Sequence, residues 1–148
     1  MSTDLGLLFQ VKNADDIAQF VRHALTRGQA LWGVDFTIDT KAVRYPLVIY
    51  LYNAAWANQS KPGVQAYGSV SRVAGGATPT SAPHPDLVPQ HLRKETHRTW
   101  FYFDQILNVN PSVPHSEFYT VKGERVESVF PDVPVFLGPP YPVKHPKV

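Results

Sequence analysis

Between residues 14 and 27 apolar side chains fall at Ile17, Phe20, Val21, Ala24 and Leu25, the i, i+3, i+4, i+7, i+8 spacing of one helix face. Asn13 stands at the N-cap position. Asp15 and Asp16 follow in the first turn, where a carboxylate suits the positive end of the helix dipole. Gly28 is a natural stop. The spacing predicts an amphipathic helix over 14–27, preceded by a short strand in the apolar run Leu5 to Val11.

After Gly28 the helical period disappears. Residues 30–36 read as a strand. So does Leu47 to Tyr52, whose nearly continuous run of β-formers marks a central strand. A polar loop from Asn53 to Gly63 leads to a strand over 64–73. There Val64, Ala66, Gly68 and Val70 alternate with Gln65, Tyr67, Ser69 and Ser71, which predicts one buried and one wetter face. Gly68 marks a bulge or a close backbone approach. Residues 74–95 carry Gly75-Gly76, Pro79, Pro83, Pro85 and Pro89 and read as one long loop, with room for a helical turn between Leu87 and Lys94.

Trp100 to Phe103 starts another strand that reaches Ile106 or Val109 before Pro111 and Pro114 interrupt it. Ser116 to Val121 is a short element of open type. Val126–Val129 and Val133–Leu137 are short strand candidates, and residues 138–148 form an extended Pro-rich tail. The order of strand, helix and about five strands predicts a single α+β domain over residues 1–148. Its small, curved, mostly antiparallel β-sheet curls toward a pseudo-barrel, with one N-terminal amphipathic helix packed against it.

Composition narrows the chemistry. The chain has 148 residues and no cysteine, so disulfides, thiolate nucleophiles and cysteine-ligated zinc are excluded. No apolar run reaches the length of a membrane-spanning helix, and Met1 to Asp4 lacks the basic start of a signal peptide, so the expected location is the cytoplasm, with no membrane partner. From Lys41 to Arg98 seven basic side chains (Lys41, Arg44, Lys61, Arg72, Arg93, Lys94, Arg98) face two acidic ones, Asp86 and Glu95. Such a stretch is either a positive face aimed at an anion or an ordinary solvated surface.

Phosphate-binding and hydrolase motifs are missing. Gly75-Gly76 is not followed by Lys-Ser/Thr, and neither G-x-G-x-x-G nor G-x-S-x-G occurs. His84, His91 and His97, with Glu95 nearby, are the candidates for a metal, but their spacing is not the helical pair of a zinc protease. Exposed loop histidines are the simpler account, and neither a metal nor a cofactor is expected. Asp35, Asp104, Glu117 and Glu124 are candidate acids or bases that no spacing pairs with a partner, so no catalytic residue is assigned.

The aromatic residues Trp32, Tyr50, Tyr52, Trp56, Tyr67 and Trp100 interleave with the basic ones. Rings stack on bases and cations meet phosphates, which is the equipment of a nucleic-acid binder; rings at strand positions also fill cores. Trp56, in a polar loop, suits either role.

Three stretches resemble the PUA-like superfamily, in particular its EVE and YTH-type members. They are the helix followed by residues 28–34, the 47–53 strand leading through a loop to 66–73, and the aromatic strand 98–106. The resemblance covers about residues 13–110. It implies a small pseudo-barrel that takes a nucleic-acid base, often a modified or flipped one, into an aromatic pocket. Trp32 and Trp56 would then be cage residues beside Trp100, Asp35 or Asn53 would bond the base edge, and Arg72 and Arg98 would meet phosphates of DNA or RNA. The ASCH branch is less similar, since its G-x-K-x-x-E-x-R signature is missing. The expectation is a non-enzymatic nucleic-acid-binding domain. Its alternatives are a structural or protein-interaction module that forms oligomers, and a small hydrolase acting on RNA or nucleotides.

Overall fold

The computed structural model describes residues 5–11, 14–38, 47–53, 63–129 and 134–138. Helix α1 spans Ala14–Arg27 as the period requires, and Ile17, Phe20, Val21 and Ala24 are buried. Leu25 is 76% exposed, against expectation. At about 100° per residue, position i+8 has rotated about 80° away from Ile17, so the buried arc is narrower than the apolar pattern. Gly28 closes the helix with φ 79°, its N–H donating to the Ala24 carbonyl at 2.8 Å. The proposed N-cap, Asn13, lies outside the described residues.

Seven strands form one sheet: β1 (Leu5–Gln10), β2 (Ala30–Val34), β3 (Leu47–Asn53), β4 (Gly63–Ser81), β5 (Thr96–Val113), β6 (Tyr119–Thr120) and β7 (Val135–Gly138). Their order is β2-β5-β4-β3-β1-β7-β6. All pairs are antiparallel except β1 with β3. The α+β class and the mostly antiparallel sheet are as expected. Closure is not: among the described residues the end strands β2 and β6 do not pair with each other, so the sheet is open, and a barrel would need those two edges to meet.

Alternation along the strands sorts side chains between two faces. Leu47, Ile49 and Leu51 of β3, Ala30, Trp32 and Val34 of β2, and Phe101 and Phe103 of β5 join the helix in one core. On the opposite face Val48, Tyr50 and Tyr52 pack with Phe118 and Val126, and Leu31, Trp100 and Tyr102 pack with Ala82 and Val88. Every residue of β3 is buried, as suits a central strand.

β4 and β5 are far longer than their patterns suggest. Residues 74–81 belong to β4, so the loop is only 82–95, with short 3₁₀ turns at Pro85–Leu87 and Gln90–Leu92. β5 runs through Pro111 and stops before Pro114. Both strand prolines fall where the β4–β5 register slips, Pro79 between the Gly75 and Thr80 pairings and Pro111 between the Asn108 and Val113 pairings. A residue without an N–H is tolerated there because the ladder is already interrupted. Gly68 is a close approach, since a Cβ there would meet the Gln105 carbonyl and the Phe103 ring. Residues 126–129 form no strand; instead the Val126 N–H donates to the Phe118 carbonyl at 2.9 Å.

Candidate functional site: a cleft at the free edge of β2

The 82–95 loop folds back along β2. Leu92 touches the helix-side core and the opposite cluster alike, so the loop passes round the outer edge of that strand. Between them is a cleft of about 70 Å³, flanked by Leu31, Trp32 and Gly33 of β2, Trp100 of β5, and the carboxylates of Asp16 and Glu95 beside His97.

Histidine contacts hold the loop down. His23 on α1 donates from Nε2 to the Asp86 carbonyl (2.8 Å), and His84 Nδ1 shares a hydrogen bond with the Tyr102 hydroxyl (2.9 Å). His91 donates from Nε2 to Asp16 Oδ1 at 2.8 Å. His97 sits between two acids, Nδ1 donating to Asp35 Oδ1 (2.9 Å) and Nε2 to Glu95 Oε1 (2.8 Å). A carboxylate only accepts, so the doubly protonated ring makes both bonds together. His84 and His91 are solvent-exposed, as expected, and His97 is half-buried; each nonetheless makes contacts that tie the loop. No sequence period marks this, because the partners lie on α1, β5 and the exit of β2. Among the described residues no three His, Asp or Glu side chains are placed to hold a metal ion.

The site residues proposed from sequence are placed as follows. Trp32 is 9% exposed and meets the Phe20 ring edge-on at 4.8 Å. Trp100 is 1% exposed, donates from Nε1 to the Thr80 carbonyl at 3.1 Å and meets the His97 ring edge-on. Neither indole offers a free face, which corrects the picture of a sandwich. The cleft volume agrees: a cavity that takes benzene measures about 150 Å³, roughly twice this one, so the cleft admits the edge of a planar ring. Asn53 is fully buried, and its Nδ2 donates to the Val11 carbonyl at 2.7 Å; it ties β3 to the end of β1 and does not line the β2 cleft. Asp35 is exposed but engaged with His97. Arg72 stacks its guanidinium 5.0 Å from the centroid of Tyr102, and Arg98 is exposed on β5 two residues before Trp100. Trp56 lies outside the described residues. Of the other proposed acids, Asp104 accepts from Gln29 at 2.6 Å, away from the cleft.

One charge pattern was invisible in the sequence. Every ion pair among the described residues joins a histidine to a carboxylate. Arg22, Arg27, Arg72, Arg93, Arg98 and Arg125 form none; where these arginines bond at all, it is to backbone carbonyls or aromatic rings.

No protein-family model matches the chain, and no curated protein matches its sequence. No helix among the described residues is long and apolar enough to cross a membrane.

Proposed function

We propose that the chain is a non-enzymatic nucleic-acid-binding domain of PUA-like type that meets a base at the β2 cleft. The observation that carries this reading is that Arg72 and Arg98, on either side of Trp100, belong to no ion pair. Where carboxylates pair with histidines, guanidiniums keep their full charge for phosphates, and a polyanion gains from each one by releasing counterions. Arg72 and Arg98 flank the cleft's Trp100 along the β4–β5 ribbon. Glu95 and Asp16 each retain acceptor capacity beyond their histidine bonds, which suits the amino edge of a base. Trp32 and Trp100 wall the cleft and are not stacking plates.

Fluorescence anisotropy with labelled single-stranded RNA and DNA over a salt series tests this. The expected result is binding at low salt whose logarithm falls linearly with the logarithm of salt concentration. No binding of either strand at low salt would overturn it.

A second reading, a hydrolase, draws on one observation: Asp35, His97 and Glu95 converge within hydrogen-bond distance. Both ring nitrogens are occupied, so proton transfer by His97 first requires Glu95 or Asp35 to swing aside. Incubation of end-labelled RNA with the protein separates the two readings, since binding without cleavage leaves only the first.

A further inference from the structure

Away from the β2 cleft, a groove of about 270 Å³ runs between α1 and the turn that starts at Pro89. Arg22, Arg27, Gln19 and His23 line it from the helix, Pro89 and Gln90 from the loop, and no acidic side chain contributes among the described residues. Arg22 and Arg27 are exposed and belong to no ion pair. His23 uses Nε2 on the Asp86 carbonyl, which fixes the loop against the helix and so fixes the groove's far wall.

We infer that this groove is the seat of a nucleic-acid backbone, with Arg22 and Arg27 each meeting a phosphate. The inference rests on the nucleic-acid reading above and names a second contact surface, on the helix. The helix C-terminus carries about half a negative charge, which opposes an anion there. Two whole guanidinium charges outweigh it, and Gln19 and Gln90 add amide donors suited to phosphate oxygens. The segment that walls the groove at Pro89 and Gln90 also borders the β2 cleft through Val88 and Leu92.

The test compares the full chain with the R22Q/R27Q double variant and with R125Q, whose arginine lies beside Tyr119 outside the groove. Thermal melts first confirm that all three are folded, as expected for exposed substitutions. The probe is a labelled single-stranded oligonucleotide of mixed sequence, with inorganic phosphate as competitor. For single strands the salt slope is about 0.7 per phosphate contact, so the double variant is expected to lose about 1.4 from its slope while R125Q keeps it. A double variant with an unchanged slope overturns the inference and leaves the nucleic-acid reading standing. A wild-type chain that fails to bind at low salt overturns both. Inorganic phosphate that binds at Arg22 and Arg27 without any oligonucleotide binding overturns the backbone assignment in favour of a small anion.

Discussion

The imidazole of His97 rests on the backbone of Gly33, so closely that a Cβ at that position would overlap the ring carbons. Gly33 thus lets the ring lie against β2 between Asp35 and Glu95. Its replacement by alanine forces His97 off the strand and breaks both carboxylate bonds. The expected loss for Gly33→Ala is about 1–3 kcal/mol, the usual range for overpacking, measured by urea unfolding. Imidazole resonances of His97 that keep their wild-type shifts in the variant would contradict this account.

Both acids beside His97 are solvent-exposed. The Asp35 side chain is 63% exposed, so its bond is strongly screened, and Asp35→Asn is expected to cost under about 1 kcal/mol. His97→Ala removes both bonds and the ring that packs edge-on against Trp100. Because the loop is also held through His23, His84 and His91, the expected effect of His97→Ala is local. Amide exchange should quicken at residues 88–97 while exchange in β3 stays slow. Uniform acceleration across the chain would show that His97 supports the whole fold.

Tyr52 provides a test at alkaline pH. Burial raises the pKa of its phenol above the usual 10.0, because the packed side chain disfavours the phenolate. The unfolded chain therefore loses this proton first. The contribution of Tyr52 to stability is complete below pH 10 and declines as pH rises from 10 through the raised folded value. Unfolding midpoints of the wild type and Tyr52→Phe should differ by a constant amount below pH 10 and converge on, or cross in favour of, phenylalanine above it. Parallel curves throughout would place the titration elsewhere.

The elements that sequence reasoning recovered are those governed by one local period. Ile17, Phe20, Val21 and Ala24 define α1 through the helical repeat, and the nearly continuous run from Leu47 marks β3 as central because only a doubly covered strand can hide both faces. What was missed depends on pairing between distant segments. Residues 74–81 look like a loop by their glycines and Pro79, yet partnership with β5 holds them extended. The openness of the sheet follows from which edges fail to meet, and no single strand carries that information. The site was less legible still. Trp32 and Trp100 line the cleft, but no pattern in the sequence announces the packing on Phe20 and His97 that removes their free faces. The histidine ties join residues separated by up to 75 positions, and nothing in the spacing of His91 or His97 announces a carboxylate partner.

Asn53 separates scaffold from site. The family resemblance makes it a candidate to bond a base edge, whereas in the structure it is fully buried with Nδ2 on the Val11 carbonyl, beside the bond from the Val11 N–H to the Tyr52 carbonyl. Both contacts lock β3 to Val11, the residue after β1. Asn53→Ala leaves the Val11 carbonyl without that donor and a small void in its place. The expected loss is about 1–3 kcal/mol of folding stability, the cost of an unsatisfied buried polar group. If Asn53 is scaffold, the folded fraction of the variant should bind a labelled oligonucleotide with the wild-type salt slope and affinity. If it contacts a base, affinity should fall by about tenfold or more under conditions in which circular dichroism shows the protein fully folded. Burial and the Val11 bond favour the first outcome, because a side chain that reaches a ligand has to leave its present partner unpaired.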